Sequence, residues 1–382
     1  MTTLAGVSAV PLLLLQVLLL QVLLLQPRAI GDQSALRPGG PASAEIGGLW
    51  NMMLWVGGVC TVLTFIALGY ALFRRRSGDP PPEADRPADP RGETANDESG
   101  GRGLEDVGRP ASERRGARAM VGAGIIAPTI ILGFVLVATL RSLAAITAPP
   151  DPSAANDAPP APGVVAVEIW GRQYWWRVRY LDATPSEIFE TANELRIPVG
   201  VPVQLRLRSD DVIHSFWVPG LGGKMDLIPG RTNVMMLQAS RPGVWRGQCA
   251  EFCGLQHGKM AIVVVAEPAE RFAAWQREQR AGAPTIADSD SAAAGDRDVF
   301  LASGCVLCHA VRGTPAGGRL GPDLTHVAGR LTLAAGTLPN STGNMYGWIA
   351  DPQAHKPGSQ MPAVPMTSPE LHAIARYLST LK

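Results

Sequence analysis

Apolar and polar positions follow successive patterns along this chain, and the changes between them divide it. Three apolar stretches come first, at 10–25, 46–73 and 119–145. The first is short and Leu-rich, with Gln16 and Gln21 inside it, and reads as the apolar region of a signal peptide despite lacking a preceding positive charge. Small residues across 26–44 suit processing there. The second and third stretches carry almost no charge and exceed the roughly 20 residues that cross a bilayer as helix, so they predict a transmembrane hairpin over 45–147. The loop between them, 74–118, opens with Arg74, Arg75 and Arg76 and closes with Arg114, Arg115 and Arg118. The positive-inside rule puts this loop in the cytoplasm and everything after Ala145 outside. Its interior, 77–113, mixes Pro, Gly and charges of both signs and predicts disorder.

Beyond a Pro-rich spacer at 148–163 the period falls to two. Segments 164–170, 174–180, 194–198, 203–209, 233–239, 243–249 and 261–267 are short, β-branched and alternating, with turns marked by IPGR and SRPG. At 203–209 the alternation is complete: Val203, Leu205 and Leu207 face one way, Gln204, Arg206 and Arg208 the other. Strands at this spacing, with no helical pattern among them, predict a β-sandwich or barrel over 164–280. A low-complexity spacer is expected at 281–295, followed by a second domain over 296–382. That domain ends in a helix whose apolar stripe is Leu371, Ile374, Ala375 and Leu378. Ser368 is its expected cap, with Pro369 in the first turn and Glu370 complementing the dipole.

The five cysteines are Cys60, inside an apolar run, and two close pairs, which is no disulfide framework but suits two metal or cofactor sites. The first pair lies in CAEFCGLQHGKM, where Cys249, Cys253, His257 and Met260 stand within twelve residues. Upstream, DVIHSFWVPG supplies His214. Thiolate, thioether and imidazole together favour copper, with a structural zinc site or a disulfide as the alternatives. The second pair is in CVLCH, the attachment pattern for a c-type haem, with Cys305 and Cys308 as the thioether positions and His309 as an iron ligand. Met361, in KPGSQMPAVPM, is the expected second axial ligand, ahead of Met366 and Met345. Met/His ligation suits electron transfer and leaves no open position for oxygen. A net charge of +1 gives no reason to expect a nucleic-acid partner, and 164–270 carries 11 basic and 11 acidic residues, no acidic excess to steer a basic donor.

The segments GRQYWWRVRY, DVIHSFWVPGLGGKMDLIPGR and GQCAEFCGLQHGKM resemble the copper domain of subunit II of the haem–copper cytochrome c oxidases. The chain is similar to the caa-type, in which a class I cytochrome c is fused behind that domain. The resemblance implies a multidomain membrane protein with two transmembrane helices, a cupredoxin-like sandwich or Greek-key barrel and an all-α cytochrome c domain. It implies a binuclear copper A centre on His214, Cys249, Cys253, His257, Met260 and the Glu251 carbonyl, with the Glu251 side chain reaching magnesium. It also implies a proton-translocating oxidoreductase in which one covalent haem c passes electrons through copper to the haem of catalytic subunit I, where oxygen becomes water. Implied partners are subunit I, other oxidase subunits, the bilayer, and a soluble cytochrome c or bc-type complex as donor. GPDLTHVAGR resembles the loop by which Pro322 sits near the haem's proximal side, with His326 structural. Two positions depart from the pattern. Tyr174, followed by Trp175 and Trp176, stands where the family has the Trp that meets the incoming electron. Val121 and Gly124 stand where a carboxylate and a Trp are usual, with Glu113 as a substitute carboxylate. A membrane-tethered electron carrier for a different acceptor, or a copper-delivery protein, are the competing functions. The second of these leaves CVLCH without a use.

Overall fold

The computed structural model describes residues 30–75, 116, 118, 121–146, 163–287 and 290–382. The expected signal peptide, most of the loop at 74–118 with Glu113, and nearly all of the spacer at 148–163 lie outside the described residues.

The apolar unit consists of helix α1 (Pro41–Arg75) and helix α2 (Ala127–Ile146), the latter continuing a π-helical turn at Gly122–Ile126. Both spans are long and apolar enough to cross a bilayer. Threonine hydroxyls here bond within their own helix: Thr61, Thr64, Thr129 and Thr139 each donate to the carbonyl four residues back, at 2.7–2.8 Å. That arrangement needs no water, as a lipid environment demands.

The strand-patterned region folds as a sandwich of two five-stranded sheets. Its strands are β1 (Val165–Arg172), β2 (Trp175–Leu181), β3 (Phe189–Ala192), β4 (Glu194–Pro198), β5 (Val203–Ser209), β6 (His214–Trp217), β7 (Lys224–Leu227), β8 (Asn233–Leu237), β9 (Gly243–Cys249) and β10 (Ala261–Glu267). One sheet runs β3-β2-β1-β5-β8 and the other β4-β10-β9-β6-β7. Ile169, Trp176, Val178, Leu205 and Leu207 of the first meet Leu195, Phe216, Leu227, Trp245, Ile262 and Val264 of the second in one core. The alternation of β5 does not separate inside from outside, because Gln204 and Arg206 are buried as well. Long polar side chains of neighbouring strands lie over that face, where Glu168 bridges Arg179 at 3.5 Å and Arg208 at 3.3 Å.

Two features of this domain go beyond the strand pattern. Helix α3 (Ala269–Arg280) follows β10, against the expectation of no helix here, and buries Phe272 and Trp275. Trp275 meets Tyr180 and Phe189 with ring centroids 5.2 and 5.6 Å away. The other feature is the segment before α1, which is a strap across the sandwich. Asp32 exchanges backbone bonds with Val244 and Arg246 at 2.9 and 3.0 Å, and Gly39 donates to Gly220 and accepts from Ser240, both at 2.7 Å. Trp245 is buried beneath it.

The C-terminal domain packs α4 (Ser291–Ala302), α5 (Thr342–Ala350), α6 (Pro352–His355) and α7 (Ser368–Thr380) around Phe300, Met345, Ile349, Ile374 and Tyr377. The stripe Leu371, Ile374, Ala375 and Leu378 is buried there, as its spacing predicts. The expected spacer at 281–295 is shorter than its composition suggests. Asp290 caps α4 by accepting from Ala293 N–H at 3.0 Å, Ala283 N–H donates to Arg312 at 2.8 Å, and Ile286 packs on the domain's core. The cap of α7 is Thr367 and not Ser368. The Thr367 N–H and hydroxyl reach the Glu370 carboxylate at 2.7 and 2.8 Å, a capping box that fixes the start one residue earlier.

Candidate metal centre

His214 opens β6 and Cys249 ends β9, and the pairing of Phe216 with Cys249 brings these strands side by side. Sheet hydrogen bonding therefore sets two donors next to each other, although 35 residues separate them. The loop from Cys249 then folds back onto β10, the Cys249 N–H donating to the Met260 carbonyl at 2.9 Å. Cys249 Sγ lies 3.9 Å from His214 Nδ1, 3.2 Å from the Glu251 carbonyl oxygen and 3.8 Å from Cys253 Sγ. Cys253 Sγ in turn lies 3.7 Å from His257 Nδ1 and 3.9 Å from Met260 Sδ. All six expected donors form one chain of contacts, and His214, Cys249, Cys253 and Met260 are buried.

Supporting groups orient the ligands. A carboxylate only accepts, so the His214 Nε2–H donates to Asp211 at 2.8 Å and Nδ1 keeps its lone pair toward the thiols. Asp211 is held by its own backbone donors, Gln173 N–H and Val212 N–H, both at 2.7 Å. Burial pulls His214 down, but Asp211 and Cys249 outweigh it and hold the imidazole above its ordinary pKa. Burial likewise opposes the shift at Asp211, and the His214 hydrogen bond leads the groups that hold it below the usual carboxylate range. Of the two thiols, Cys249 is driven toward thiolate by its hydrogen bond from Cys253, with burial opposing and His214 assisting. Cys253 is pushed up by that same neighbour and by burial. Gly171 permits the close approach of β1, since a Cβ there would stand 2.6 Å from the His214 ring.

The aromatic positions separate. Trp176 is a core residue, edge-on to His214 and Phe216 at 6.2 and 6.1 Å. Trp175 lies on the outer side with the Arg172 guanidinium 5.7 Å from its ring. Tyr174 is only 8% exposed, and its hydroxyl accepts from Leu255 N–H at 3.0 Å within the ligand loop.

In the C-terminal domain Cys305, Cys308 and His309 sit on one short turn, where His309 N–H donates to the Cys305 carbonyl at 3.0 Å. His309 Nδ1 donates to the Pro322 carbonyl at 2.7 Å, which leaves the Nε2 lone pair available to a metal. Burial pushes this imidazole down, toward the neutral form a metal needs. Gly321 lies against the ring, and a Cβ there would come within 2.5 Å of His309 Cε1. Leu307 and Leu320 present exposed apolar surface beside the motif, suited to a large flat apolar group. Of the candidate second ligands, Met345 is buried in the helical core beside Ser379. Met361 lies on a loop whose carbonyl is held by Gln353 Nε2 at 2.8 Å. His326 bridges Lys382 and Ala281 carbonyls at 2.8 and 3.1 Å and is structural. Gln353, Asp211 and Asn193 were not singled out by the sequence. Asn193, at φ 61°, clamps Trp176 by two hydrogen bonds of 2.8 and 2.9 Å.

Comparison with known proteins agrees with this division. Residues 173–267 match the family model for the cytochrome c oxidase subunit II periplasmic domain, and residues 292–382 match that for cytochrome c. The chain is 38% identical over 234 residues to cytochrome c oxidase subunit 2 of Alkalihalophilus pseudofirmus, covering 61% of this chain and 64% of that one, just under two thirds of its length. It is 31% identical over 269 residues to the same subunit of Bacillus sp. (strain PS3), covering 67% of this chain and 72% of that one. Among solved structures, the periplasmic domain of oxidase subunit II from Bradyrhizobium japonicum aligns at 29% identity and a TM-score of 0.29, covering 32% of this chain and 96% of that one. A cupredoxin-like sandwich joined to a cytochrome c domain behind two apolar helices defines the class, a two-domain arrangement that points to copper and haem. The chain belongs to the cytochrome c oxidase subunit 2 family, and its two domains fit the caa-type.

Proposed function

We propose that this chain is the electron-accepting subunit of a respiratory cytochrome c oxidase, anchored in the cell membrane with both globular domains on the extracytoplasmic side. The observation that carries this reading is the contact chain of His214, Cys249, Glu251 O, Cys253, His257 and Met260. Two thiols 3.8 Å apart, each flanked by an imidazole, would hold a pair of copper ions better than a single tetrahedral zinc. When bound, a copper pair and a haem would each supply one-electron transfer, Cys305, Cys308 and His309 being the residues that would hold the haem, with entry at the haem domain and exit from the copper domain toward the oxygen-reducing subunit.

The chain's own residues do the positioning. Asp211 and the strand pairing of β6 with β9 hold His214, and the burial of both sulfurs keeps water from them. Pro322 fixes the His309 tautomer, and Gln353 holds the loop carrying Met361, which would be the second ligand to the haem iron. The Glu251 side chain would reach a magnesium ion where catalytic subunit I binds. The donor is a soluble cytochrome c or a bc-type complex, and Tyr174 with Trp175 lies on the electron's path between the haem domain and the copper loop. Metal and haem analysis of the purified chain tests the assignment, with two coppers and one covalent haem expected. Co-purification tests the acceptor: a detergent preparation that never brings down a large haem-bearing polytopic subunit overturns the oxidase reading.

A further inference from the structure

Lys356 is 2% exposed, in the last turn before the loop that carries Met361. Its ammonium reaches across to the copper domain and donates to the backbone carbonyl of Tyr174 at 2.7 Å, and to that of Ala334 in its own domain at 3.2 Å. The residues on either side are held as well. Lys259 Nζ donates to the His355 carbonyl at 2.6 Å and Gln256 Nε2 to the Pro357 carbonyl at 2.8 Å. Three consecutive residues of the haem domain are thus bonded to the copper-ligand loop or to Tyr174 beside it. Beyond them, Gln353 closes the loop, accepting from Gly358 N–H at 2.8 Å and donating to the Ser359 and Met361 carbonyls at 3.0 and 2.8 Å.

A second patch holds the same interface. Ala261 N–H donates to the Ala335 carbonyl at 3.0 Å, Arg246 to Gly336 at 3.1 Å, and Leu331 N–H to the Glu194 carboxylate at 2.8 Å. Gly336, at φ +74°, lies so close that a Cβ would come within 2.8 Å of both Ala261 and Arg246. Most of these contacts use backbone atoms, which make the fit dependent on one relative placement and not on charge attraction.

We propose that Lys356 is a positioning residue that latches the haem domain over Tyr174, so that this face of the copper loop is reached from the tethered haem and closed to soluble carriers. The proposal rests on the electron-transfer reading for its use but on the interface geometry for its existence. A buried lysine opposite two carbonyls is an unusual choice, because desolvation opposes its charge. Burial, assisted by Lys259, pushes its pKa down to about 7. The latch does not depend on that charge, since the neutral amine retains two N–H donors, one for each carbonyl.

The test uses the full chain purified in its detergent-solubilised complex. Backbone hydrogen exchange is read at Ala261 and Leu331, whose acceptors lie across the interface, with Val264 inside the sandwich as control. In Lys356→Ala, exchange at Ala261 and Leu331 is expected to rise at least roughly tenfold, from loss of two buried hydrogen bonds, while Val264 and the haem absorption stay unchanged. Lys356→Met keeps the apolar stem without the donors and is expected to behave likewise. Wild-type exchange in the Met variant overturns the latch, because stem packing alone would then hold the domains. Nitration of Tyr174 by tetranitromethane, mapped by mass spectrometry, reads the closure. It is expected to be slow in the wild type and fast in both variants, and equal rates in all three overturn it. Copper and haem content of the same samples separates the two ideas: metal-free protein with latch-dependent exchange defeats the electron-transfer reading alone.

Discussion

The two sites are built by opposite means. At the copper loop one donor, His214, lies 35 positions before the first of the other five, and the pairing of β6 with β9 sets its Nδ1 3.9 Å from Cys249 Sγ in the buried interior of the sandwich. The proposed haem-attachment residues, Cys305, Cys308 and His309, lie on a single short turn, only partly buried, and Met361, the proposed second ligand, is on a separate loop. The first site is a product of the whole sandwich; the second is local, positioned by Pro322 on one side and Gln353 on the other. A site made by tertiary pairing is rigid and intolerant, whereas a contiguous motif keeps its chemistry even when the surrounding packing changes.

The comparison breaks most sharply at the thiols. Cys249→Ser or Cys253→Ser is expected to abolish the mixed-valence copper signal in electron paramagnetic resonance while the haem remains reducible by dithionite. If the haem of such a variant still delivered electrons to oxygen at the wild-type rate, the relay order would be wrong. Next in size is Met361→Ala, expected to change the haem spectrum and lower its potential while copper content stays at two per chain. An unchanged spectrum would move the ligand to Met366.

A smaller change is expected from Asp211→Asn, which keeps the shape but weakens the partner of His214 Nε2–H. Loss of such a supporting hydrogen bond typically costs ten- to a hundredfold in metal affinity, measured here by competition with a copper chelator, with the haem spectrum unaffected. The smallest effect belongs to the cap of α7. Thr367→Ala is expected to lower stability by about 1 kcal/mol in thermal melts followed at the haem band. The Glu370 carboxyl sits below its ordinary value because the Thr367 backbone and hydroxyl donate to it. Its folded-state pKa is depressed, so its contribution is present above the ordinary carboxylate value and fades as pH falls through the lowered one. The variant's deficit should therefore shrink in acid.

The difference between the sites also explains what the sequence revealed. CVLCH is legible because its chemistry needs adjacent residues, and CAEFCGLQHGKM because four donors lie within one loop. The strands read well wherever β-branched residues alternate, as at 194–198, 203–209, 243–249 and 261–267, whose bounds coincide with β4, β5, β9 and β10. Strands β3, β6 and β7 have four residues each, too few to show a period, so β6, which His214 opens, left no strand pattern in the sequence. Helix α3 was legible in principle, since Phe272, Trp275 and Gln279 recur at helical spacing and are its buried residues. Asp211, Lys356 and Gln353 carry no local signal. Each matters through a partner that only the fold brings near, and Lys356 meets a carbonyl 182 positions away.

The strap at 32–43 has a practical consequence for making the copper domain in pieces. A soluble fragment begun after the second membrane helix, the natural choice from the hydropathy pattern, would discard the backbone partners of Val244, Arg246, Gly220 and Ser240. It would also uncover Trp245, one of the largest fully buried side chains in the protein. Such a fragment should bind an apolar dye and aggregate, and a peptide spanning 30–43, added in trans or fused ahead of Val165, should restore it.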